Sequence, residues 1–137
     1  MVGVTALNEL LSSMSPELMQ GEFVFCTTSG SPEKYLPLKP VAFFVEQEGL
    51  TLILPKDKAV AAGLPFDGVF RQITLMVHSS LEAVGLTAAV STKLTEKGIS
   101  ANVVAAYFHD HIFVQSAKAE AALLALREFD CKDTRSK

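Results

Sequence analysis

The chain has 137 residues, 49% of them hydrophobic and 20% charged, with a formal net charge of −3. That length suits one ordinary domain, or two very small ones sharing a core, burying roughly two thirds of the unfolded surface. The composition is globular, no apolar run reaches the ~20 residues that span a bilayer, and no cluster of Lys and Arg interleaves with aromatics, which leaves small molecules and proteins rather than nucleic acid or anionic membrane as expected partners.

In chain order, the opening MVGVTALNEL lacks a basic segment followed by an apolar run and a small-residue cleavage site, so the expected location is the cytoplasm. Leu7, Leu10, Leu11 and Met14 fall at helical spacing, with Thr5 as the N-cap. Pro16 and Gly21 read as breakers. EFVFCTT is a short strand, and its Cys26, like Cys131 near the end, has no metal-ligand spacing and reads as a reduced thiol. SGSPEKYLPLKP follows as a loop holding one helical turn. VAFFVEQ and LTLILP form a hairpin that turns at Glu48-Gly49, and KDKAVAAG is a short helix. Leu64-Pro65-Phe66-Asp67-Gly68 then punctuates the chain and places a boundary between residues 1–68 and 69–137.

The second half restarts with the strand FRQITLMV. Leu86, Ala89, Val90 and Leu94 share a helical face, and Gly98 stands where a left-handed cap ends that helix. ISANVVAAYF and HIFV are two strands about a minimal turn at His109-Asp110, and a last helix runs from Ala117 to Phe129 with Ser116 as N-cap. A shift of 60 positions sets LILPKDKAVAAGL against IFVQSAKAEAALL and VAFFV against ANVVA, matching helix to helix and strand to strand. The expected fold is therefore α+β: two related ferredoxin-like βαββαβ units packed together, each an antiparallel sheet with helices on one face. Neither half is complete by itself, because DCKDTRSK is too polar to give the second half a buried final strand.

The segment ITLMVHSSLEAVGLTAAVSTKLTEKGISANVVAAYFHDHIFV, Ile73 to Val114, resembles an ACT domain: a strand, a loop ending in Gly-Leu-Thr, a helix, a Lys-Gly-Ile-Ser turn, an Asn-bearing strand and a hairpin. The whole chain, including its LLSSMSPEL…GEFVF opening, is similar to small bacterial proteins with tandem ACT-like halves, the first half being the more divergent. The resemblance implies a stand-alone regulatory protein that binds a small metabolite, an amino acid in the first instance, where two ACT units meet. It implies a homodimer as well, since ACT units commonly join sheet edges. It places the ligand against Ser79, Ser80, Leu81, Glu82, Gly85, Leu86 and Thr87 in the first loop and helix start, and against Ala101 and Asn102 at the second strand.

Physical chemistry gives such a site a rationale. The backbone N–H groups of a helix N-terminus bind a carboxylate in a favourable dipole, and an Asn oxygen with backbone carbonyls accepts from an ammonium. Each residue also has a purely structural reading. Gly85 allows a tight strand-to-helix turn, the serines cap, Asn102 bonds an edge strand, and Glu82 is a solvated acid.

Thr27 to Ser31 lacks the lysine and glycine spacing of a phosphate cradle, and no motif supplies a nucleophile, a catalytic residue or a cofactor site. Three functions compete on the sequence: a ligand-binding regulator that is not an enzyme, a protein-interaction module that binds nothing small, and a metal-dependent enzyme built on His109, Asp110, His111 and His78. The ligand's identity and the regulated partner are outside what the sequence specifies.

Overall fold

A computed structural model describes residues 2–76 and 85–129, with backbone alone for residues 2–6. Its elements in chain order are α1 (Val2–Ser12), β1 (Pro16–Leu18), β2 (Phe23–Thr28), a 3-10 segment (Pro32–Leu38), β3 (Ala42–Val45), β4 (Leu50–Pro55), α2 (Lys56–Ala62), β5 (Phe70–Leu75), α3 (Leu86–Glu96), β6 (Asn102–Ala105), β7 (Asp110–Gln115) and, after a 3-10 turn at Ser116–Lys118, α4 (Ala119–Arg127). These divide into two compact units, Gln20–Phe70, and Met1–Met19 with Arg71–Lys137. The second unit is thus assembled from both ends of the chain.

In the unit of residues 20–70, β4 is central, pairing antiparallel with β3 on one side and β2 on the other. Phe70 lies opposite Phe23 and meets Phe25 edge to face at 5.2 Å. Alternation along the strands sends Val24 and Cys26 from β2 and Leu50, Leu52 and Leu54 from β4 to one face. There they bury with Ala59 of α2, and Tyr35, Leu38, Leu64, Phe66 and Val69 close over them.

In the other unit the strands run β1, β5, β7, β6. That is the ferredoxin-like order, with β1 standing where the final strand of a βαββαβ unit would stand. The strand that the polar C-terminal segment could not supply thus comes from the N-terminal side, as Pro16, Glu17 and Leu18 pair with Leu75, Thr74 and Ile73. Pro16 opens this edge strand rather than only breaking the first helix. The bonds Met19 N–H to Gln72 O (2.8 Å) and Met76 N–H to Ser15 O (3.3 Å) set the alternation, and they leave Pro16 at a position where no N–H is needed.

Leu86, Val90 and Leu94 of α3 and Ala119, Ala122, Leu123, Ala125 and Leu126 of α4 bury against Ile73, Leu75, Ile112 and Val114 of the sheet. The N-terminal helix begins at Val2, so Thr5 lies inside it. The expected cap at Gly98 holds: its φ is +74°, its N–H bonds Thr95 O at 2.9 Å, and the N–H of Ile99 bonds Leu94 O at 2.9 Å. Ile99 and Leu94 then bury together, the hydrophobic half of the same motif.

The two hairpins match at the 60-residue offset down to single bonds. Glu46 and Gly49 exchange backbone bonds around Gln47-Glu48, and Ala106 N–H bonds His109 O at 3.1 Å around Tyr107-Phe108. The tip of the second hairpin is therefore Tyr107-Phe108. His109-Asp110, expected at the tip, comes after it, and Asp110 opens β7. Core register decides this, because Ile112 and Val114 must both face the helices, and that requirement outweighs the turn preference of Asp.

Candidate functional site

Of the residues expected to hold a ligand, Ser79, Ser80, Leu81 and Glu82 lie outside the described residues. Gly85, Leu86 and Thr87 are consecutive at the start of α3. Gly85 is the N-cap, with φ +100° and ψ −19°, and Ala89 N–H bonds its carbonyl at 2.9 Å to begin the helix. A β-carbon here would meet Leu7 Cδ2 at 3.1 Å, and the backbone angle itself favours glycine, so both conformation and space select it. The first turn carries no acidic residue, and among the described residues no side chain caps it. The N–H groups of Leu86 and Thr87 then have no acceptor inside the helix, which gives the end of α3 the donors and dipole that suit an anion.

The side chains at this helix start divide between roles. Leu86 is only 2% exposed and sits in the core, so its backbone N–H is the group it offers; Thr87 is exposed. Ala101 packs against the same core as Leu86. Asn102 opens β6, and its Nδ2 donates to Phe113 O across the sheet at 3.2 Å, leaving the side-chain oxygen as the acceptor. The second-strand pair is thus anchored on one side by the core and on the other by a strand bond. A cavity of about 540 Å³ lies beside Gly85, lined also by Leu7, Ala89, Thr92, Lys93 and Phe129.

The unit of residues 20–70 has a corresponding glycine-containing loop within Thr27 to Ser31, a segment whose sequence lacks the spacing of a phosphate cradle. Gly30 adopts φ +101°, nearly that of Gly85, and precedes Ser31, the N-cap of the 3-10 segment. Tyr35 donates its hydroxyl to Ser29 O at 3.0 Å and ties the loop down. The signal was present as a glycine between a strand and a Pro-initiated turn, but without helical periodicity it looked like a plain loop.

The histidines resolve differently. His111 extends from β7, where its Nδ1 is 3.0 Å from Thr74 Oγ1 and 3.2 Å from Gln72 Nε2; Gln72 also donates to Thr74 Oγ1 at 3.0 Å. Thr74 is 3% exposed, so this is a partly buried polar trio on β5 and β7. Because Gln72 donates, Nδ1 accepts and the ring is neutral there. Burial holds His111 below the ordinary histidine value, His109 adds to that and Asp110 opposes it. Burial raises the Asp110 carboxyl above its usual range, against the two histidines. Among the described residues no three His, Cys, Asp or Glu side chains come together to hold a metal ion, and His78 lies outside those residues. Cys26 is a buried free thiol raised by desolvation; Cys131 is outside the described residues. Among the described residues no helix is long and apolar enough to cross a membrane.

Two ACT-domain family models match the chain, one over residues 2–71 and one over residues 69–128. No protein of curated function matches. A Vibrio cholerae protein of unknown function, described as a possible transport protein, is 60% identical, with a TM-score of 0.88 covering 94% of this chain and 99% of its own. A protein from Agrobacterium tumefaciens is 18% identical, with a TM-score of 0.69 over 84% of this chain and 87% of its own. The ligand-free regulatory subunit of aspartate kinase from Thermus thermophilus is 11% identical, with a TM-score of 0.64 over 85% of this chain and 97% of its own. The last two are likenesses of fold.

Proposed function

The chain belongs to the ACT-domain family, and on that premise we propose that it is a cytoplasmic, homodimeric regulatory protein, not an enzyme, that binds an amino acid at the start of α3 and the start of β6. The observation that carries the reading is the N-terminus of α3, acid-free and without a side-chain cap among the described residues, opened by Gly85 at a positive φ. Helix α3 is eleven residues, about 16 Å, long, so its start and Asn102 do not share one ligand within a single copy; where two copies of the unit meet, the N–H groups of Leu86 and Thr87 of one receive the carboxylate and the oxygen of Asn102 of the other accepts from the ammonium. Ser79, Ser80, Leu81 and Glu82 complete the site on the loop side, with Glu82 favouring an amine. Fold likeness to an aspartate kinase regulatory subunit is consistent with a sensing role.

A thermal-shift series with the protein amino acids tests it. A ligand at 100 times its dissociation constant adds about 2.7 kcal/mol to stability, and Asn102→Ala should weaken that response without lowering the ligand-free midpoint by a comparable amount. If no amino acid shifts the midpoint, the reading fails. The bond from Asn102 to Phe113 O favours a second reading, a dimerisation module without a small ligand. In that case Asn102→Ala lowers the ligand-free midpoint and no compound raises it.

A further inference from the structure

His109 and His111 have no part in the site proposed above, and where their rings point depends on where the second hairpin turns. A tip at His109-Asp110 would send the two rings apart. With the tip at Tyr107-Phe108, Ala106 N–H bonds His109 O at 3.1 Å and carries the ladder of β6 and β7 through His109, ahead of the pairs Ala105–Asp110 and Val104–His111. Side chains two apart on an extended strand share a face. His109 and His111 therefore stand side by side on one face of β7. Ile112 and Val114, which bury with the helices, and Asp110 alternate to the other.

Both rings are half-buried. His111 is held at Nδ1 by Thr74 Oγ1 at 3.0 Å and Gln72 Nε2 at 3.2 Å, which leaves Nε2 as the nitrogen it can offer. His109 Nδ1 is buried and has no hydrogen-bond partner among the described residues, an arrangement that costs free energy until something satisfies it. Burial first, and then the charge of His109, hold His111 below the ordinary histidine value. The two rings are thus close enough to feel each other, and the neutral form that burial favours in His111 is the form that ligates metals.

We propose that His109 and His111 chelate one divalent transition ion, a ring nitrogen from each, with water in the remaining positions. The site is separate from the amino-acid reading and does not rest on it. Residues two apart on a strand have α-carbons about 7 Å apart, a span that two imidazoles close around an ion at Zn–N distances of about 2.0–2.1 Å. Two imidazoles with no thiolate and no carboxylate suit Zn²⁺, Ni²⁺ or Cu²⁺ and reject Mg²⁺ and Ca²⁺, which take oxygen donors. The protons balance. As Nε2 of His111 gives its proton to solvent and binds the ion, Nδ1 takes one up and donates it to Thr74 Oγ1, while the Gln72 amide turns to present its oxygen. A metal-bound histidine fixed through its other N–H is the usual arrangement, and Thr74, 3% exposed, already stands in that place.

Titration of Zn²⁺ into the chelator-treated full chain, followed by calorimetry with no amino acid present, tests this in wild type, His109→Ala, His111→Gln and His78→Ala. The expected result is about one Zn²⁺ per chain, with a dissociation constant at least about 100-fold higher in His109→Ala and in His111→Gln, since each leaves a single donor. His78→Ala should bind as wild type does, and Mg²⁺ should give no saturable heat. His109 Nδ1 has no bond to lose, so His109→Ala should keep the metal-free melting midpoint and separates lost chelation from lost folding if His111→Gln is destabilised. No saturable Zn²⁺ binding, binding that survives His109→Ala in full, or binding lost equally in His78→Ala overturns the proposal. Each of these outcomes leaves the amino-acid reading to its own thermal-shift test.

Discussion

At Gly85 the demands of the fold and of the proposed site coincide. A left-handed backbone angle, a close approach to Leu7 and the acid-free start of α3 all meet at one residue. Gly85→Ala is expected to cost about 1–2 kcal/mol, chiefly as backbone strain, because the neighbouring Leu7 side chain can move aside; the urea midpoint measures it. His111 gives a pH signature whose sign follows from burial. Its folded-state pKa lies below the ordinary value of 6.5, so the folded protein binds fewer protons than the unfolded chain as that range is crossed. Neither state is protonated well above 6.5, and stability is lost as pH falls from there through the folded value. His111→Gln cannot titrate, so the variant should lose less stability than wild type between about pH 7 and about pH 5. Asp110 acts in the opposite sense: its raised carboxyl takes a proton in the folded state first, and stability returns as pH falls through that value. Asp110→Asn should remove that recovery. Urea midpoints across the pH series separate the two.

Elements show why some of this fold is legible in sequence and some is not. The α3 terminus at Gly98 was legible because its cause is local: one residue adopts the left-handed angle and the next is apolar enough to bury beside Leu94. Strand β1 was not, since three residues carry no readable alternation and their partner lies more than fifty positions away in β5. The His109-Asp110 tip was misplaced for the same reason, as long-range register overrides local turn chemistry. Asn102 was recognisable as a candidate, but nothing in the sequence reveals that its amide nitrogen is bonded to Phe113 O. The β1 assignment has a direct consequence. Alternation puts Glu17 at a hydrogen-bonded position opposite Thr74, whereas Pro16 is not so placed. Glu17→Pro should destabilise the chain by about 1–3 kcal/mol, and amide exchange should quicken along β1 and at the facing residues of β5.

Across the whole molecule the chain contains one structural idea twice, and the copies have diverged in what they expose. Both hairpins turn between equivalent residues, and both outer strands send equivalent backbone groups outward. One copy has an eleven-residue α-helix after its glycine, and the other a seven-residue 3-10 segment with Tyr35 bonded back to Ser29 O. On the proposed reading, ligand binding belongs to the copy with α3. The most direct measurement is an amide-correlation NMR titration of the ¹⁵N-labelled chain with each amino acid in turn. One amino acid should produce saturable shifts concentrated at the amides of Leu86 and Thr87 and at Asn102. Spectra unchanged by every amino acid, or saturable shifts confined to residues outside that cluster, would contradict the account.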